Sequence, residues 1–94
     1  MRDYYSLGDA IDRFLEKHKL KDELLIQRIL TDWSKYVGAP IANNTEKVWF
    51  EKGILFIKMS SPAWRNELMQ ARLKLLSMIN KQAGKALVEE VRIL

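Results

Sequence analysis

Two short runs of branched and aromatic residues, 48–50 and 54–57, stand on either side of Lys52-Gly53. This pattern predicts a β-hairpin over residues 45–59, because such side chains fit a pleated surface and glycine tolerates the positive φ of a tight turn. A two-residue loop then dictates the register: Phe50 faces Leu55, Trp49 faces Phe56 and Val48 faces Ile57. Side chains alternate along a strand. Val48, Phe50, Leu55, Ile57 and Met59 therefore share one face, and Lys47, Trp49, Ile54, Phe56 and Lys58 share the other. Apolar groups stand on both faces of the sheet.

The rest of the chain reads mainly as helix. Leu7, Ala10, Ile11, Phe14 and Leu15 recur at helical spacing, with Ser6 as a cap and Asp9 three residues on. That first helix is expected to fade near His18. A second begins near Asp22 and Glu23, whose charges suit a helix N-terminus, and carries Ile26, Ile29, Leu30, Trp33 and Val37 as its apolar stripe. Gly38 and Pro40 mark its end. Ser61-Pro62 starts a third helix, a capping residue followed by proline at the first helical position. It is expected to run to about Ala83, with Gly84 beyond it and Trp64, Leu68, Leu75, Leu76, Ile79 and Ala83 turned inward. Residues 88–94 read as a last strand, with Val91 and Ile93 on one side and Glu90 and Arg92 on the other. The expected fold is α+β in the order ααββαβ, three helices packed on one face of a small three-stranded sheet. Residues 1–94 are expected to form a single domain, the natural size for one core.

Apolar residues make up 48% and charged residues 30%, the balance of a globular chain rather than a disordered one. Sixteen Lys and Arg face twelve Asp and Glu, a formal charge of +4, compatible with phosphate backbones without demanding them. Cysteine is absent, which excludes disulfides, thiolate metal sites and cysteine nucleophiles. The polar start leading into a charged helix is unlike a signal peptide, and no apolar run approaches the roughly 20 residues that span a bilayer. A cytoplasmic location is expected, with no membrane partner.

Catalytic constellations are missing. The one histidine, His18, sits between Lys17 and Lys19 and cannot alone build a metal site or a triad. The four glycines are scattered, so there is no phosphate-cradling loop. The carboxylates fall on polar helix faces. No catalytic residue, metal or cofactor is nominated, and an enzyme is not expected.

Three features are suited to binding. Trp49 and Phe56, flanked by Lys47 and Lys58, read either as a stacking platform for single-stranded nucleic acid or as a face covered by the first helix or a second protomer. On the third helix Lys74 and Lys81 are nearly aligned, with Lys85 just past the end. Arg65 and Arg72 flank the apolar stripe seven residues apart. These residues read either as a phosphate-neutralising row or as a solvated face with snorkelling stems. Trp33 and Trp64 lie on apolar stripes and are assigned to the core, which leaves Trp49 outside it.

The residues assembled here resemble the DciA family of bacterial proteins, long catalogued as a domain of unknown function. Trp33, Val37-Gly38, Pro40-Ile41-Ala42 and Thr45 are similar to its first block, and Gly53, Leu55 and Ile57 to its second. Ser61, Trp64, Glu67 and Leu68 are similar to the third, and Asn80 with Gly84 to the last. The resemblance covers nearly the whole chain. It implies a fold like the KH module, DNA binding, and a role in helping to load the replicative helicase. Longer members carry a flexible basic extension after the domain, which this chain, ending at Leu94, is expected to lack. KH modules that bind nucleic acid clamp its backbone with a Gly-x-x-Gly loop. No such loop occurs here, so that mechanism does not transfer with the fold.

The leading expectation is a DNA-binding accessory protein of the bacterial replicative helicase, taking single- or double-stranded DNA. Lys47, Lys58, Arg65, Arg72, Lys74, Lys81 and Lys85 would meet phosphates and Trp49 would stack. Two alternatives stand beside it. One is a protein-interaction adaptor without nucleic-acid binding, using Trp49, Ile54 and Phe56. The other is an RNA-binding KH-like module with the same footprint.

Overall fold

A computed structural model describes residues 7–17 and 20–94. They form α1 (Leu7–Lys17), α2 (Leu20–Thr31), α3 (Trp33–Val37), α4 (Ala39–Asn43), β1 (Thr45–Glu51), β2 (Ile54–Met59), α5 (Pro62–Gln70), α6 (Arg72–Ala83) and β3 (Glu90–Ile93). The expected cap Ser6, His18 and the side chain of Leu15 lie outside the described residues. The class is α+β, around a mixed sheet in the order β1-β2-β3. β1 and β2 are antiparallel, whereas β2 and β3 are parallel and joined through α5 and α6, as a parallel pair requires a crossover.

The hairpin has the register read from its turn: Phe50 opposite Leu55, Trp49 opposite Phe56 and Val48 opposite Ile57. Lys52 and Gly53 both have positive φ, 48° and 83°, the signature of a type I′ turn whose twist matches that of the strands. The Gly53 carbonyl, freed at the turn, accepts from the Glu89 N–H at 2.8 Å and so sets where β3 begins. A bulge between Thr45 and Lys47 ends the regular ladder.

The helices differ from the expected three. The second is interrupted at Asp32, where the Lys35 N–H bonds the Asp32 carbonyl three residues back instead of continuing the four-residue ladder. The third bends at Ala71, whose N–H is shared between the Glu67 and Leu68 carbonyls. Neither break carries a glycine or proline. The bend at Ala71 lets α5 lie against β2 and β3 while α6 reaches β3 and α3. Pro40 does not merely follow a helix, since it sits in the first turn of α4, where its missing N–H costs nothing. Ser61 caps α5 as expected, its hydroxyl accepting from the Trp64 N–H at 3.3 Å.

One face of the sheet supplies the core. Leu55, Ile57, Met59, Val91 and Ile93 pack with Ile29, Trp33, Val37, Leu68, Leu75 and Ile79 in one cluster. Trp33 is buried and its indole N–H donates to Thr45 Oγ1 at 3.1 Å, while the threonine hydroxyl donates to the Ile41 carbonyl at 2.7 Å. Trp64 packs at the edge of the same cluster. α1 does not join it. The amphipathic stripe is present, but α1 packs on α2, and Leu7, Ile11 and Phe14 stay largely exposed. The sheet's inner face is already filled by the other helices.

Asn80 ties the end of α6 to β3. Its side chain donates to the Val88 carbonyl at 2.9 Å and accepts from the Val88 N–H at 2.8 Å. Its own carbonyl accepts from Gly84 and Lys85, closing the helix with Gly84 in the left-handed conformation.

Three stability changes follow, each read from urea midpoints. Ile57 is fully buried, so Ile57→Ala lowers stability by about 2–5 kcal/mol. Asn80→Ala leaves both backbone groups of buried Val88 unpaired and costs about 1–3 kcal/mol. Lys52→Asn raises stability by about 0.5–1 kcal/mol, because asparagine tolerates the left-handed backbone that lysine occupies here.

Candidate nucleic-acid and partner interface

The outer face of the sheet is built by strand alternation and register. Trp49, Phe56 and Arg92 are consecutive partners across β1, β2 and β3. The Trp49 and Phe56 rings stack, with centroids 5.1 Å apart and planes within 5°. Lys47 Nζ lies 4.9 Å from the Trp49 ring centroid, and the Arg92 guanidinium lies 5.5 Å from that of Phe56. Both arrangements place a positive charge against the negative face of a π-system. Trp49, Ile54 and Phe56 are half-buried and outside the core cluster.

Lys47 and Lys58 face each other across the hairpin. Glu46, displaced by the bulge, reaches Lys58 at 3.1 Å and relieves that like-charge pair. Arg92 donates from Nε and Nη2 to Glu90 at 3.0 and 2.9 Å. These pairs are about half exposed, so each contributes only about 0–1 kcal/mol.

The remaining nominated cations lie on the helices. Lys85 is paired with Asp22 at 2.6 Å, fastening the end of α6 to α2. Arg65, Lys74 and Lys81 are exposed and form no ion pair among the described residues. Lys74 stands at the rim of an apolar depression lined by Ile41, Leu68, Leu75 and Met78. Arg72 donates to the Met69 carbonyl at 3.1 Å and lines a second depression with Glu90 and Arg92 at the β3 edge. The bend at Ala71 falls between Arg65 and Arg72, so they do not share one straight helix.

The eight nominated residues therefore divide between two surfaces. Lys47, Trp49 and Lys58 belong to the outer sheet face; Lys74, Lys81 and Lys85 belong to α6 and its end, with Arg65 and Arg72 on the flank. Leu75 and Ile79 of α6 turn into the same core as Leu55 and Ile57 of the sheet, so the Lys74–Lys81 side and the Trp49–Phe56 side each turn away from that core.

Two features add to the residues nominated from the sequence. Alternation along β3 puts Arg92 opposite the buried Val91 and Ile93, and parallel pairing with β2 then delivers it to Phe56. Residues 68–88 contain Arg72, Lys74, Lys81 and Lys85 and no acidic residue. That run leaves the solvent side of α6 without a carboxylate of its own, its cations standing beside the exposed apolar Leu73 and Met78.

A further depression between α2 and β1, about 440 Å³, is lined by Leu20, Leu24, Ile26 and Phe50 with Glu23 and Gln27. Among the described residues no three His, Asp or Glu side chains are placed to hold a metal, and no helix is long and apolar enough to cross a membrane.

Comparison with known proteins gives a consistent answer. No solved structure gives a significant match. A UPF0232 protein of Corynebacterium glutamicum is 26% identical over 88 residues, 94% of this chain and 49% of that one. One from Mycobacterium marinum is 27% identical over 92 residues, 98% and 49% of the two chains. One from Streptomyces coelicolor is 24% identical over 95 residues, 99% and 50%. The chain thus spans about half the length of the curated relatives it matches. The family profile described as "Dna[CI] antecedent, DciA" matches residues 6–93. With nearly its whole length covered, the chain belongs to the DciA family.

Proposed function

We propose that this chain binds DNA as an accessory to the bacterial replicative helicase, holding the phosphate backbone on the solvent side of α6. Family membership links the chain to helicase loading. The observation that carries the DNA contact is the acid-free run over residues 68–88, with Lys74 and Lys81 exposed and unpaired among the described residues. The two lysines are seven residues apart, about 10 Å along the helix axis, and the methylene stem of Lys74 borders the apolar rim of Ile41, Leu75 and Met78. Arg65 adds a further exposed cation on α5. Counterion release by such a row supplies affinity without reading sequence.

The architecture belongs to the same proposal. With α2–α3 and α5–α6 each counted as one bent helix, the order approaches that of a KH-like module in a single domain, with α4 as an addition. The backbone clamp of KH modules has no counterpart, so side-chain cations carry the contact instead. A cytoplasmic site of action goes with this role. The chemistry is positioning rather than catalysis, so no enzymatic step is assigned.

The test is a fluorescence-anisotropy titration of labelled single-stranded DNA at several salt concentrations. Log affinity is expected to fall linearly with log salt at a slope of about −2 to −3, from three or four phosphates at about −0.7 each. Lys74→Glu/Lys81→Glu is expected to reduce that slope by about 1.4. Absence of binding at low salt, or a slope untouched by the double reversal, refutes the reading. Competition by matched RNA separates the RNA-binding alternative, since only RNA offers a 2′-hydroxyl.

A further inference from the structure

The outer sheet face is graded by charge along its strands. The row beside the turn holds Glu51, Ile54 and Glu90; the next holds Trp49, Phe56 and Arg92; the third holds Lys47 and Lys58. Glu46 joins the last through Lys58. Three carboxylates thus meet three cations, and the face has no net charge. A phosphate polymer draws its affinity from net neutralisation, which this face does not supply. A protein surface is different: its interfaces place aromatic groups at the centre and charges of both signs on the rim, where they govern register and partner choice. Stacked Trp49 and Phe56 are such a centre. Tryptophan is also among the residues whose loss most weakens protein interfaces.

We infer that this face docks a protein while α6 holds nucleic acid. The partner presents an apolar patch over Trp49, Ile54 and Phe56, a cationic group toward Glu51 and Glu90, and carboxylates toward Lys47 and Lys58. The inference rests on the helicase-accessory reading for the choice of probe. It adds that the two ligands bind without competing, because Lys74 and Lys81 share no contact with Trp49, Ile54 or Phe56, while Arg72, beside Glu90 and Arg92, borders the docking face.

The experiment measures binding of the host's replicative helicase by biolayer interferometry and of poly-dT by anisotropy, on the same set of variants. Trp49→Ala and Phe56→Ala are each expected to weaken helicase binding about tenfold or more and to leave DNA affinity within about twofold. Lys74→Glu/Lys81→Glu is expected to do the reverse. Lys47→Glu/Lys58→Glu tests the charge gradient without touching the rings and is expected to weaken helicase binding alone. Saturating poly-dT is expected to leave helicase affinity unchanged. Circular dichroism checks that each variant is folded. Helicase binding indifferent to Trp49→Ala, Phe56→Ala and the Lys47/Lys58 reversal overturns the inference. So does a comparable loss of DNA affinity in Trp49→Ala, which would make the face a base-stacking site. A wild-type chain that binds helicase but not DNA refutes the DNA-binding function and leaves the docking surface standing, whereas one that binds DNA but no helicase overturns the docking inference and the helicase-accessory role and leaves DNA binding standing.

Discussion

Two consecutive residues with positive φ, Lys52 and Gly53, close the hairpin, and the rest of the molecule depends on the register they impose. A slip of β2 by one residue would send Leu55 and Ile57 to solvent and Phe56 into the core, away from Trp49. The same turn leaves the Gly53 carbonyl free to bond Glu89, which aligns β3 beside β2. Asn80 holds the other end of that approach through both backbone groups of Val88. Register, crossover and the third strand are thus linked through a few directional hydrogen bonds, and the apolar contacts then fill the space they define.

The core contains no buried polar or charged residue among those described. All charged chemistry is consequently on the surface, where isolated ion pairs contribute little to stability. What the surface charges do control is which molecules approach. The two faces differ in that respect. Acidic and basic groups balance around the aromatic pair, while the solvent side of α6 has cations and no carboxylate of its own.

Much of this was legible from residue order. Strand alternation and turn chemistry are local, so the hairpin register, the inward set of Leu55, Ile57 and Met59 and the place of Trp49 on the outer face could be read directly. So could the core roles of Trp33 and Trp64 and the cap at Ser61. The helix interruptions at Asp32 and Ala71 could not, because residues 70–72 are good helix formers and the bend answers to where β2, β3 and α3 lie. Nor could the exposure of α1, whose amphipathic stripe states only that an apolar partner is wanted and not which element supplies it.

The candidate surfaces divide in the same way. By itself the sequence determined that apolar side chains occupy both sides of the sheet and that cations collect on the last long helix, since both depend on periodicity and composition. Only the tertiary structure decided which cations are already paired, joining Lys58 to Glu46 and Lys85 to Asp22, and that Arg92 caps Phe56 across a parallel strand. It also turned the Lys74–Lys81 side and the Trp49–Phe56 side each away from the common core. The reason is physical: charge pairing and relative orientation depend on distances between residues far apart in the chain, and those distances exist only once the sheet and helices have closed around a common core.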